Sequence, residues 1–334
     1  MSVQTQQTAQ SPVIARGTRR ISRFVITLAI ILLLAAPWTV GDFEIGMLSR
    51  ILVLGLVAMS VALLTGVTGL PTLAQAGYFG VGAYTAAIIA RSLSAVGLVQ
   101  LVLGMIVAAL VAAVTSVVLV RARGVAFLMI TLALGEIMYT AAESWSGVTG
   151  GTDGLSGIPP VIPIWGMPAL TLTGLVYYYV VAVFGLLFIL LALLVRSPFG
   201  LALRGIRDNE ARMRAIGYPV ARYVTVGYCI AGAIAGGAGV LWVNLHRFMS
   251  PGEMGFELAA LTLLAAVIGG GGSMWGACVG AALVVLMRDY VGGFFAGQGM
   301  LLLGVMFVIV VYLLPRGISG FTLPKRSAQG VDAT

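Results

Sequence analysis

The chain has 334 residues, of which 60% are hydrophobic and only 9% charged, and its mean hydropathy is +1.07. Ordinary soluble domains carry about 25% charged residues, so this composition excludes a soluble globular protein and requires an integral membrane one. The net charge of +8 does not call for nucleic acid, because membrane proteins concentrate Lys and Arg in their cytoplasmic loops.

Residues 1–23 read as a basic tail. Gln, Ser and Thr dominate its first fifteen positions, which are expected to be disordered, and "RGTRRISRF" then leads into a retained anchor rather than a cleaved signal. Crossing a hydrocarbon core of roughly 30 Å takes about 20 apolar residues in a helix, since each backbone polar group must be paired inside the segment. Apolar runs lie near 24–40, 47–66, 74–90, 97–120, 125–142, 173–195, 223–243, 257–269, 275–287 and 300–315, followed by a tail, 316–334. Those near 74–90, 257–269 and 275–287 are short and broken by Gly. The expected architecture over 24–315 is therefore all-α: a polytopic helical bundle of about 8–10 transmembrane helices, some of them short.

With the N-terminus inside, ten crossings leave all but four of the nineteen basic residues in the cytoplasm. The exceptions are Arg50, Arg91, Arg247 and Arg288, while Asp42, Glu44, Glu143, Asp153, Glu253, Glu257 and Asp289 collect outside. This asymmetry predicts both termini in the cytoplasm.

Taken in chain order, the first irregularity in the spans is Gly66, Gly69, Pro71 and Gly77 with Gln75 as a polar group. Broken backbone at membrane depth is tolerated only inside protein or along a wet cavity, which makes Gly69, Gln75 and Gly77 candidates for a translocation path. Glu136 is the only acid left inside a span, and an intramembrane carboxylate is costly enough to face the bundle interior, a path or a buried partner. The exterior stretch 143–172 lacks Lys and Arg and is long for a connection, as functional loops are. Four successive glycines in "IGGGGS" disfavour a helix by about 1 kcal/mol each. Gly269, Gly270, Gly271, Gly272 and Ser273 thus join the path candidates, with a cytoplasmic turn as the competing reading. Gly80, Gly82, Gly232, Gly236 and Gly280 are expected to serve close helix packing. Cys229 and Cys278 lie in apolar runs and suit core packing, not a disulfide framework or a metal site.

The densest charge falls in "RSPFGLALRGIRDNEARMRAIGYPVARY", residues 196–223, between two oily segments. Ser197 with Pro198 suits a helix start, and Gly217 with Pro219 a stop, so one helix is expected between them. At helical spacing Ala202, Ile206, Asn209, Met213 and Ile216 form a mostly apolar stripe, with Arg204, Arg207, Asp208, Glu210 and Arg214 beside it. Arg204 with Asp208, and Glu210 with Arg214, are expected i,i+4 pairs. An amphipathic helix of this kind suits insertion into a partner's groove.

These residues resemble the cytoplasmic coupling segment of ABC importer permeases, and specifically the branched-chain amino acid permease family. The resemblance rests on Arg196 to Gly200, on Arg207 with Asn209 and Glu210, and on Ala215 with Gly217. The broader importer pattern departs here, with Arg212 in place of a second Ala and Gly217 seven residues after Glu210. "TGLPTLAQAGYFGVGAYTAA", "TGGTDGLSGIPP" and "VIGGGGSMWGACVGAAL" resemble further family blocks, in the family's order, although Pro71 and Gln75 depart from common family residues.

The resemblance implies that 196–222 is a coupling segment, with Arg204, Ile206, Arg207, Asp208, Asn209, Glu210, Met213 and Gly217 meeting an ATPase. It implies a bacterial cytoplasmic (inner) membrane, a second and different permease subunit, and an extracytoplasmic binding protein that delivers branched-chain or related amino acids, or else urea, short amides or other small solutes. No GxxxxGK[ST] motif occurs, so ATP and magnesium would sit on separate ATPase chains, with no cofactor on this one. A membrane-embedded enzyme would need clustered titratable groups, which one His and scattered acids do not supply. An ion-coupled carrier using Glu136 is the remaining alternative.

Overall fold

The computed structural model describes residues 33–270 and 272–291 and six isolated positions between 301 and 318. The tails, most of the first and last expected spans, and Gly271 lie outside the described residues.

Each apolar run within the described stretch is helical. Helix α1 (Asp42–Ala62) continues through a π-helical turn, Leu63–Thr68, and stops at Gly69, whose φ of 74° is a left-handed conformation. Then come α2 (Gln75–Ser92), α3 (Gly97–Leu119), α4 (Gly124–Ser144) and α5 (Thr173–Arg196). Two short helices follow, α6 (Pro198–Asp208) and α7 (Glu210–Ala215). Helix α8 (Val220–His246) leads to α9 (Phe256–Gly269) and α10 (Met274–Val285), which extends through a second π turn, Leu286–Val291. Among the described residues six helical segments are long and apolar enough to cross a membrane, and no strand occurs beyond two isolated bridges.

Helices α1 and α8 form the centre. Of the most apolar part of α1, 83% is buried, against 17% for α4, which lies on the perimeter. Without a hydrophobic force between helices in lipid, close backbone approach must do the packing, and the glycines permit it. A Cβ at Gly236 would lie 2.4 Å from that of Ala108, one at Gly82 would lie 2.2 Å from the Gly236 carbonyl oxygen, and one at Gly239 would lie 2.0 Å from that of Phe79. Helix α8 is thereby wedged against α3 and α2, and Gly232 and Gly280 also meet neighbouring helices closely, whereas Gly80 lies under the Met254 side chain of the turn Pro251–Met254.

The run 269–273 is a turn. Helix α9 ends at Gly269 and α10 begins at Met274, with left-handed φ angles of 90° at Gly270 and 96° at Gly272. The two helices form a close antiparallel hairpin, because a Cβ at Gly269 would fall 2.2 Å from the Gly276 backbone. A tight connection of this kind fits both the path reading and the cytoplasmic-turn reading of the run.

The segment 143–172 is pinned to its neighbours. Leu155 and Met249 exchange both backbone hydrogen bonds, at 2.8 and 3.1 Å, and Ile162 bridges to the start of α3 through Ala95 and Gly97. It covers the end of the bundle opposite α6 and α7.

Candidate functional site: the arginine-rich projection and its junction

Helix α6 starts as its sequence dictates. The Ser197 hydroxyl accepts from the Gly200 amide and Pro198 occupies the first turn. Its inward face is apolar, with Ala202, Leu203 and Ile206 all buried. Leu203 lies against Gly227 of α8, where a Cβ would be 3.5 Å from a Leu203 methyl. Burying such a side chain stabilises by about 1.5–3 kcal/mol, so this face anchors the projection to its own bundle.

The single helix expected over 198–217 is two. Asn209 is extended (φ −160°, ψ 96°), and its side chain accepts from the Arg212 amide at 2.9 Å, which caps α7. A short amide that can serve the backbone outside a helix favours a break at this point. The apolar stripe is split as a result: Ala202 and Ile206 are buried, Met213 folds back over Gly205, and Asn209 and Ile216 are exposed. Gly217 then ends α7 with φ 89°.

The ion pairing differs in one respect from the expected pattern. Arg204 donates to the Val195 carbonyl, an unpaired group in the last turn of α5, and Asp208 instead pairs with Arg207 at 3.0 Å. Glu210 does pair with Arg214. It also receives two bonds of 2.9 Å from Arg123, whose Nη1 donates to the Val120 and Ala122 carbonyls. The Arg123 guanidinium beside Glu210 holds its carboxyl below the usual carboxylate range. Sequence reasoning missed Arg123, since 87 residues separate the partners; its only signal was a basic pair between two apolar runs.

Arg207 makes the other tie. Its stem crosses Gly69, where a Cβ would lie 2.6 Å from the Arg207 Cγ, and its Nη1 donates to the Gly66 carbonyl. A Cβ at Gly272 would lie 3.3 Å from that same Gly66 oxygen. Three features that were separate in the sequence therefore meet at one junction: the arginine-rich projection, the π turn ending α1, and the α9–α10 turn.

Of the remaining path candidates, Gln75, Gly77 and Glu136 lie away from that junction, and Ser273 borders it next to Gly272. Gln75 is fully buried, with its Oε1 accepting from Ser60 at 3.2 Å and its Nε2 unpaired among the described residues. Gly77 packs under Met138 of α4. Ser273 caps α10, accepting from the Gly276 amide at 3.1 Å. Glu136 does not face the bundle interior. It is exposed on α4, about 140° around the helix from buried Thr131, beside a shallow groove it shares with Ile137, Thr140 and Ser144.

A helical membrane bundle with an arginine-rich projection seated on its turns has the build of a transport permease subunit. The chain belongs to the family of branched-chain amino acid transport system permease components, whose model matches residues 45–311.

Similar proteins carry matching descriptions. The high-affinity branched-chain amino acid transport system permease protein LivM of Salmonella typhimurium is 26% identical, covering 94% of this chain and 78% of its own length. The LivM protein of Escherichia coli is 27% identical over the same shares. A probable branched-chain amino acid transport permease protein, LivH, of Methanocaldococcus jannaschii is 25% identical over 83% of this chain and 91% of its own. No solved structure matches the chain.

Proposed function

We propose that this chain is one membrane subunit of an ABC importer for branched-chain or related small amino acids. Separate ATPase chains, carrying ATP and magnesium, would grip the projection formed by α6 and α7, and a binding protein would deliver cargo at the opposite end. The arginine-rich end would face the cytoplasm of a bacterial inner membrane, with both termini on that side, consistent with the bias in basic residues. The observation that carries the reading is the Arg207 tie: a load on the projection reaches the Gly66 carbonyl and, beside it, the α9–α10 turn.

A second permease subunit would cover the outer face of α4. A carboxylate at the middle of a perimeter span is expensive in lipid, so the exposure of Glu136 favours protein or a wet path on that face over acyl chains.

The test is ATP-dependent uptake of labelled leucine in proteoliposomes holding this chain with the ATPase and permease subunits that co-purify with it. Uptake that requires ATP and is abolished by Arg204→Glu with Arg207→Glu, while membrane insertion is kept, supports the reading. Uptake by this chain alone on an ion gradient overturns it.

A further inference from the structure

A second site lies at the far end of the bundle. A cavity of about 220 Å³ opens between the ends of α1, α8, α9 and α10. Its inner wall is formed by the buried side chains of Leu54, Leu261, Val284 and Val285, and the rings of Trp242 and His246 close another side. Its rim is charged with both signs, with Arg50 and Arg288 beside Glu253 and Asp289.

The rim charges are incompletely engaged. Arg50 meets Asp289 through one nitrogen at 3.4 Å, leaving the rest of its five-donor fork without a side-chain acceptor among the described residues. Arg288 is committed to Glu257 at 2.8 Å and only approaches Asp289, at 3.9 Å. Glu253, held in the turn Pro251–Met254, is half-buried, and its carboxylate accepts no hydrogen bond among the described residues. One wall thus offers a guanidinium with donors to spare, another offers a carboxylate with acceptors to spare, and an aliphatic pit lies between them. The volume is below the roughly 300–1,000 Å³ of sites for drug-sized ligands, which limits the occupant to a small metabolite.

We propose that this cavity binds a small zwitterion with an aliphatic side chain, an α-amino acid, whose carboxylate meets Arg50, whose ammonium meets Glu253, and whose side chain enters the Leu54–Leu261–Val285 pit. The site lies within a single chain. Its choice of ligand rests on the reading of the chain as an amino-acid permease, and it sits at the opposite end of the bundle from the Gly66–Gly272 junction.

The experiment is equilibrium binding of labelled leucine to the full chain in lipid nanodiscs, with no ATPase present. Two competitors separate the contacts: 4-methylpentanoate lacks the ammonium and 3-methylbutylamine lacks the carboxylate. Saturable leucine binding is expected, with each competitor weaker by about tenfold or more, the scale of one charge-assisted hydrogen bond. Glu253→Gln is expected to weaken leucine about tenfold and leave 4-methylpentanoate unchanged, and Leu54→Trp to abolish binding by filling the pit. Glu136→Gln, on the outer face of α4 and outside this cavity, is expected to leave binding intact. Absence of saturable binding overturns the proposal, as does binding that survives both Glu253→Gln and Leu54→Trp or that is lost only in Glu136→Gln. Should either pocket variant fail to fold, the competitor series on the unaltered chain still decides. None of these outcomes depends on whether the chain works with an ATPase.

Discussion

The guanidinium of Arg207 is bonded to the Gly66 carbonyl, and the methylene stem that carries it there lies across Gly69. The bond joins a helix outside the bundle to the last turn of its most buried span. Arg207→Ala removes both the bond and the stem, whereas Arg207→Lys keeps a charge but not the fork. Both variants are expected to insert normally. Leucine uptake should fall at least about tenfold in the alanine variant and less in the lysine variant, with ATP hydrolysis by the assembled complex becoming less dependent on cargo.

Gly69→Ala tests the same contact from the other side. The new Cβ would collide with the Arg207 stem, and alanine would be held at a φ of 74°. Left-handed backbone at a non-glycine residue costs about 1–2 kcal/mol, so a drop of several degrees in the thermal unfolding midpoint is expected, together with reduced uptake. An unchanged midpoint would remove the stem from the account.

The bond from Arg123 to Glu210 should respond to acid. The folded carboxyl titrates below its ordinary value near 4.5. The contribution is therefore fully present above that value and is lost as pH falls through the depressed folded pKa. Because the pair is substantially exposed, its size is about 0–1 kcal/mol. Protection of the amides at 210–215, measured against the intrinsic exchange rate at each pH, should be highest near neutral pH and decline below about pH 4.5. Glu210→Gln should show the lower protection at all pH values and lose the acid-dependent step.

Gly239→Leu should fail to fold. Even a Cβ there would fall 2.0 Å from the Phe79 carbonyl, a backbone atom that cannot rotate away. Overpacking at a tight contact costs about 1–3 kcal/mol and sometimes more, and here a whole side chain has no room. Loss of a monodisperse peak in detergent is expected. Gly46→Leu, where a Cβ meets nothing within 4 Å, should behave as the parent chain.

Much of this fold was legible in the sequence, because lipid imposes length and apolarity on every span. Within the described stretch the helices lie where the runs predicted them, and the glycines assigned to packing are crowded, although Gly239 and the path candidates Gly69, Gly77 and Gly269 are crowded too. What was not legible came from contacts at long range. Glu210 could be paired with Arg214 from spacing alone, whereas Arg123 could not, and the meeting of Gly66, Gly272 and Arg207 follows from how helices stack rather than from any local pattern. Periodicity also presumed an unbroken helix. It put Asn209 on an apolar stripe, where the side chain in fact ends one helix and starts the next. The exposure of Glu136 was not legible for a related reason: hydropathy identifies a span but not the direction its faces point.

The division of labour within the projection sets how a transporter of this build can change motors. Ala202, Leu203 and Ile206 are committed to the chain's own bundle and must be kept for folding, but Arg212 on α7 and Ile216 just beyond it are exposed. If an ATPase grips the projection as proposed, changes confined to those outer side chains would alter the pairing while Glu210 and Met213 kept α7 tied to Arg123 and Gly205, so that specificity and fold would be free to evolve on separate faces.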